Sequence, residues 1–430
     1  MVREYDYFDP EGVFAVIRTL ALTLNYFIQS IFLALGLYYF VISVFGFMPK
    51  RKYKPIEDTE HTFAMLIAAH NEEAVIANMV DSLKALDYPK DKYEIFVIAD
   101  NCDDKTAEIA RNAGANVFER FDKTKRGKGY ALEWMFNKLF GMERQFDYFC
   151  VFDADNIADK NFLKNMNKRA CEGHQAIQGY IDSKNPKDTW VSYSYAVSFW
   201  GICRLFQQSR ANLGLSCQLS GTGFAVKSNL IKEMGWGATC LTEDIEFTMK
   251  LALKNIKVGW AGDAIVYDEK PITFTQSWKQ RKRWMQGQAD VGCKYLAKVL
   301  KKAVKEKSIV TLDCALYLLQ PLRIVAMGYI TIMSWMQNVY PDSPLVLTSL
   351  FQYFPYHFWD LIVIVQFLWN PLALYAEKKL SIETLLYYPA YTLFSLTWVP
   401  IAIIGFINKD NKDWFHTQHT RKISIDEMKQ

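Results

Sequence analysis

The stretch Tyr148-Phe149-Cys150-Val151-Phe152-Asp153-Ala154-Asp155-Asn156 constrains the fold more than any other part of this chain. Its run of five apolar or aromatic residues predicts a strand buried on both faces. The strand ends on two carboxylates one residue apart. Side chains alternate along an extended backbone, so Asp153 and Asp155 should lean to the same side. Two anions held that close raise each other's pKa unless a cation sits between them. A hard divalent ion such as Mg²⁺ or Mn²⁺, which prefers oxygen ligands, is the matching partner. Open α/β sheets bind ligands beyond the carboxyl ends of their strands, which is where this pair falls. An Asx-turn cap followed by a solvated aspartate is the other reading of an isolated Asp-x-Asp. The surrounding chain decides between them.

From about residue 60 to residue 270 the pattern alternates strand and helix. A strand over 63–69 leads into His70-Asn71-Glu72-Glu73, followed by a helix over 73–86 with Val75, Ile76, Met79, Leu83 and Leu86 on one face. A second strand over 94–99 ends on Asp100-Asn101-Cys102-Asp103-Asp104, and a short helix over 106–112 stops at Gly114. Gly127-Lys128-Gly129 opens another helix, through Phe140, ahead of the aspartate strand. This succession predicts a right-handed parallel α/β core. Asn71, Asp100 and Asp153 each lie just past a strand, as a nucleotide site in such a sheet requires. Lys128, between two glycines that let backbone approach a ligand, is placed to meet a phosphate at a helix start. Helix capping by Asp100 and a solvated Lys128 are the alternatives.

Three features follow. Gly221-Thr222-Gly223 opens a glycine-flanked strand through Val226, with room for a ligand against the backbone. Leu241-Thr242-Glu243-Asp244 precedes an amphipathic helix through Lys254. Thr242 as N-cap, with acids favoured by the helix dipole, would account for that motif without chemistry. Gln280-Arg281-Lys282-Arg283-Trp284 sits in a long helical pattern whose basic face continues from Lys294 to Lys307. A helix resting on lipid accounts for that face.

The composition is 51% hydrophobic and 15% aromatic, with the apolar residues clustered. Residues 26–47 carry no charge and are long enough to cross a bilayer core. Lys50, Arg51, Lys52 and Lys54 follow at once, which places the next domain in the cytoplasm. Residues 13–24, which include Arg18, read as an interfacial helix. Further apolar stretches lie near 309–336, 345–375 and 384–407, the middle one interrupted by Pro355 and Pro371. Three crossings would put the tail outside, yet Lys409, Lys412, Arg421 and Lys422 favour the cytoplasm, which leaves two to four spans open. The expected division is therefore 1–55 with an interfacial and a transmembrane helix, 56–275 catalytic, 276–308 interfacial, 309–407 transmembrane and 408–430 a polar tail. A net charge of +4 without blocks of like charge gives no sign of nucleic acid. The eight cysteines form no Cys-x-x-Cys pair and fit free thiols in a reducing compartment. His416 and His419, the two histidines that lie close together, have no cysteine nearby to complete a zinc site.

In this order the motifs resemble the membrane-embedded family-2 glycosyltransferases. These are inverting enzymes with a GT-A (Rossmann-like) fold that include cellulose, hyaluronan, chitin-oligomer and poly-N-acetylglucosamine synthases. The resemblance covers roughly 60–290 and rests on His70-Asn71-Glu72-Glu73, Asp100, Lys128, Asp153-Ala154-Asp155, Thr242-Glu243-Asp244 and Gln280-x-x-Arg283-Trp284. It implies that Asp100 contacts the base or ribose of a UDP-sugar, while Asp153 and Asp155 hold the metal and diphosphate. It also implies that Asp244 is the general base, and that Gln280, Arg283 and Trp284 bind the diphosphate and stack on the acceptor sugar. Asn71, Glu72 and Lys128 join the donor set; Glu243, Gly221 and Thr222 join the acceptor set. Many members carry Asp-Asp-Gly at the first site where this chain has Asp100-Asn101-Cys102, so only Asp100 is carried over.

The expected activity is extension of a β-linked polysaccharide from a UDP-sugar, processive and coupled to export, with Mg²⁺ or Mn²⁺ as cofactor. Its partners would be the donor, the growing glycan or a lipid acceptor, membrane lipids and accessory membrane subunits. Transfer of one sugar to a lipid, and a non-catalytic receptor or scaffold, are the competing expectations.

Overall fold

The computed structural model describes residues 10–340, 356–411, 419, 421–423 and 427. An eight-stranded mixed sheet organises the α/β domain, in the order β3-β2-β1-β4-β7-β6-β8-β5. The strands are β1 (Phe63–Ala69), β2 (Tyr93–Asp100), β3 (Asn116–Arg120), β4 (Tyr148–Asp153), β5 (Ile157–Ala158), β6 (Ala176–Ser183), β7 (Phe224–Lys227) and β8 (Val258–Asp268). β3, β2, β1 and β4 are parallel, as the strand–helix alternation predicts. β7 then pairs antiparallel with both β4 and β6, while β6 and β8 run parallel. That second half was not legible in the sequence.

The apolar strands are buried because helices cover both faces. Alternate residues of β1 and β4 divide between two cores. Ala64, Leu66, Phe149 and Val151 pack with Leu132, Met135 and Phe136 of the Lys128–Phe140 helix. Phe63, Met65, Cys150 and Phe152 pack with Met79, Val80 and Leu83 of the Ile76–Lys84 helix and with Phe162 and Met166. That helix is shorter than the periodicity predicts, since residues 73–75 form a turn ahead of it. The expected strand at 221–226 begins only at Phe224, because Gly221 and Gly223 both take positive φ.

Register brings the strand ends level. Ala68 lies opposite both Ile98 and Asp153, and Asp100 lies opposite Arg120. One edge of the sheet thereby collects Asp100 and Asp153 on either side of His70.

Residues 10–44 form a single 35-residue helix, Pro10–Val44, without a break between an interfacial segment and a span. Among the described residues two helices, Gly12–Phe47 and Ile382–Ile407, are long and apolar enough to cross a membrane. Ile309–Tyr317 and Gln320–Val339 would add a third if the pair, bent by 60°, counts as one span. Pro371 lies inside the Tyr356–Ala376 helix, and Pro355 lies outside the described residues. The 33-residue Phe274–Glu306 helix joins the α/β domain to the apolar helices. Its Arg281 is fully buried, 3.9 Å from the Phe394 ring centroid, and donates to Thr397 Oγ1 at 2.7 Å.

Two glycines make these junctions close. A Cβ on Gly287 would stand 2.6 Å from the Thr242 side chain, and one on Gly405 would stand 2.5 Å from Met285 Cβ. His419 and Arg421 of the tail contact the α/β domain.

Candidate active site

The paired aspartates lie where β4 runs out. Asp153 closes the strand, and its N–H donates to Thr222 Oγ1 at 3.1 Å and Asn156 Oδ1 at 3.2 Å. The chain then turns, which carries Asp155 inward. Asn156 Nδ2 donates to Asp155 Oδ1 at 3.2 Å and to Asp268 Oδ1 at 2.9 Å. Oxygens of Asp153, Asp155 and Asp268 all fall within 4.8 Å of one another. Burial pushes Asp155 up to about 8; His419 opposes the rise, while Asp268, Asp153 and Glu72 add to it. Three converging carboxylates, one of them buried beside further acids, form an all-oxygen donor set that fits a hard divalent cation. Asp268 ends an apolar strand just as Asp153 does, the signal by which it could have been found in the sequence.

Lys128 links this cluster to the rest of the cleft. Its Nζ donates to Asp153 Oδ1 and, at 2.8 Å, to the Gly221 carbonyl. Burial works against the ammonium, yet Asp153, Glu243 and Asp244 raise its pKa overall. A Cβ on Gly221 would lie 3.7 Å from Asp244 Oδ2, so the same backbone touches the lysine and approaches the predicted base. Thr222 is buried, and its hydroxyl is engaged by Asp153 and Asn156.

Thr242 precedes the Glu243–Leu253 helix but makes no side-chain cap bond, so capping does not account for the motif. Burial pushes Asp244 up to about 7, with the neighbouring Glu243 adding to the rise. Burial raises Glu243 as well, opposed by Lys128 and Arg283. Gln280 Oε1 is buried and meets no donor among the described residues. The Trp284 ring packs between Tyr195 and Trp398, with centroids 6.0 and 6.4 Å away.

At the opposite end, Asp100 is buried against Arg120, whose Nη1 donates to Asp100 Oδ1 at 2.5 Å. Asn71 takes positive φ, and its Oδ1 accepts from the Asp103 N–H at 2.8 Å, pinning the loop after β1 to the loop after β2. Glu72 is buried, and its carboxylate faces His419 Nδ1 at 2.9 Å. His419 Nε2 lies 3.5 Å from Asp155 Oδ2. Asp155, Glu72 and Glu269 outweigh the burial of the imidazole and raise it to about 10. Sequence reasoning missed His419, because no local pattern links it to residues 347 positions away.

The mixed sheet, with acids at the ends of β2, β4 and β8, defines the class. This chain belongs to the glycosyltransferase-like family 2, whose profile matches residues 61–287, more than half of its length. Its fold is GT-A. It is 30% identical over 269 residues to beta-monoglucosyldiacylglycerol synthase of Nostoc sp. (strain PCC 7120), a match covering 61% of this chain and 56% of that protein. It is 26% identical over 275 residues to poly-beta-1,6-N-acetyl-D-glucosamine synthase of Staphylococcus epidermidis, covering 61% of this chain and 63% of that protein. The matched region thus spans less than two thirds of either relative. In fold it is similar to a mannosyltransferase from Pyrobaculum calidifontis, solved with GDP-Man and Mn²⁺, at a TM-score of 0.57 and 16% identity. That likeness covers 92% of this chain and 98% of the mannosyltransferase.

Proposed function

We propose that this chain is an inverting, metal-dependent transferase that takes a sugar from UDP and extends a β-linked polysaccharide. The observation that carries the reading is Asp244, a carboxyl pushed up to about 7, beside the Gly221 backbone that Lys128 ties to Asp153. A base of that pKa is half ionised near neutrality, where general-base catalysis is most effective. Asp244 takes the proton of the acceptor hydroxyl as its oxygen attacks the anomeric carbon from the face opposite UDP. The C–O bond to the diphosphate breaks with inversion. Lys128 and Arg283 stabilise the negative charge that UDP gains. Asp153, Asp155 and Asp268 would hold Mg²⁺ or Mn²⁺, which supplies Lewis-acid stabilisation to the same leaving group.

Asp100 receives the base or ribose, with Asn71 and Glu72 supporting the donor side. Glu243, Trp284, Gly221 and Thr222 form the acceptor side, and Gln280 donates its side-chain amide N–H to the diphosphate. The α/β domain works in the cytoplasm, over 56–275. The 276–308 segment lies at the lipid surface, and the apolar helices export the chain as it grows, with accessory membrane subunits where needed. The match to beta-monoglucosyldiacylglycerol synthase supports a second reading, transfer of a single sugar to a lipid.

Product length separates the two. Detergent-purified protein incubated with a panel of UDP-sugars and Mn²⁺ should release UDP and yield a product of many units. A singly glycosylated lipid as sole product would select the second reading, and absence of turnover in native membranes would count against both.

A further inference from the structure

Asp100 does not present its carboxylate evenly. Oδ1 accepts from Arg120 Nη1 at 2.5 Å and from Asn101 Nδ2 at 3.0 Å. No hydrogen bond from the described residues reaches Oδ2, and the side chain keeps 11% of its surface exposed. Arg120 is itself held. Its side chain is 5% exposed, and its Nη2 donates to the Lys125 carbonyl at 2.8 Å and to Asp122 Oδ2 at 3.3 Å. Asn101, at positive φ, binds the same loop: the Asp122 N–H donates to Asn101 Oδ1 at 2.9 Å, and Asn101 Nδ2 donates to Asp122 O at 3.2 Å. The carboxyl therefore cannot rotate to exchange its oxygens without breaking this set of bonds.

An ionised carboxylate only accepts hydrogen bonds, and with both oxygens open it can accept two parallel ones. Guanine offers such a pair from N1–H and the exocyclic amine. Uracil offers one imide N3–H between two carbonyls. Cytosine has a lone pair at N3, which repels a carboxylate at that position, and donates only from its N4 amine. A carboxylate with one oxygen already filled satisfies uracil fully and leaves one guanine donor unpaired, the kind of mismatch from which large discrimination arises.

We propose that Arg120 determines the donor's nucleobase: by filling Oδ1 of Asp100 it leaves a single acceptor oxygen and selects uracil over guanine. The inference rests on the reading that Asp100 receives the base of a nucleoside diphosphate. Arg120 touches no substrate. It is a positioning residue acting through Asp100.

The test is calorimetric binding of UDP, GDP and CDP, with Mn²⁺, to the full chain in detergent. The proteins are wild type, Arg120→Met, Arg120→Lys and Asn101→Ala. Wild type should bind UDP at least about 10-fold more tightly than GDP. In Arg120→Met the UDP/GDP ratio should collapse to about 2-fold or less, mainly through tighter GDP binding at the freed Oδ1, and Arg120→Lys should restore part of it. Turnover with the UDP-sugar should keep KM and kcat near their wild-type values. Should Arg120→Met fail to fold, Arg120→Lys and Asn101→Ala carry the test, each with an intermediate ratio. Equal weakening of UDP and GDP would make Arg120 merely structural and overturn the inference, as would an unchanged ratio. Wild type binding UDP and GDP equally would overturn it too, with donor binding intact. Wild type that binds no nucleoside diphosphate would overturn the donor reading of Asp100 and this inference with it.

Discussion

In the proposed reaction Asp244 is the base, and its environment sets a pH signature. Burial and the adjacent Glu243 push it up to about 7. The base form therefore appears as pH rises through that value, and kcat/KM should show an acid limb with its midpoint near 7. The same shift opposes folding. A carboxyl whose folded pKa exceeds its unfolded value of about 3.9 loses stabilisation as pH climbs from there to 7. Asp244→Asn should abolish the limb, lower kcat by at least about 100-fold, and leave the protein slightly more stable at pH 8. The measurements are a pH–rate profile and thermal unfolding at two pH values. Asp268→Asn removes one of three converging carboxylates. It should weaken Mn²⁺ binding, read by titration calorimetry, by about 10-fold or more, while the metal-free fold persists. Asp153 and Asp155 were legible because they stand together in sequence. Asp268 joins them only through the register of β8 with β6, in which Asp268 lies opposite Ser183.

Between elements, the Phe274–Glu306 helix packs closely against Thr242 at the start of the Glu243–Leu253 helix. Gly287 allows it, since a Cβ there would stand 2.6 Å from Thr242 and 2.9 Å from its backbone nitrogen. Gly287→Ala should push the helix off Thr242, lowering kcat by about 10-fold or more because the base and the Gln280–Trp284 motif would move apart. Arg281→Met, at the far side of the same helix, should lower stability through lost packing on Phe394 and Trp398, with a smaller effect on kcat in the folded fraction. Detergent-phase melting and steady-state turnover measured together distinguish these outcomes. The parallel strands β1, β2 and β4 were readable because apolar runs follow from burial on both faces. The antiparallel β7 has only four residues and pairs with strands far from it in sequence, so no local period announces it. The six-residue π-helix Cys203–Gln208 likewise has no hydropathy signature distinct from the helices on either side.

At the scale of the whole chain, the tail and the α/β domain meet at the carboxylate cluster. His419 stands between Glu72 and Asp155, so His419→Ala leaves two buried acids without that imidazole. The metal-free protein should melt at a lower temperature than wild type, and saturating Mn²⁺ should narrow the gap. On the proposed membrane reading, that contact puts the tail and the domain on one side. The sequence left this open because its count of apolar stretches and its tail charges disagreed. The proposed reaction has Asp244 as base for sugar transfer from a UDP donor bound at the Asp153, Asp155 and Asp268 carboxylates. It is tested most directly by UDP release from purified wild type, Asp155→Asn and Asp244→Asn, with Mn²⁺ and with EDTA. Wild type with Mn²⁺ should release UDP, EDTA should abolish that release, and both substitutions should reduce it at least about 100-fold. Release that persists in EDTA, or that survives Asp244→Asn unchanged, would contradict it.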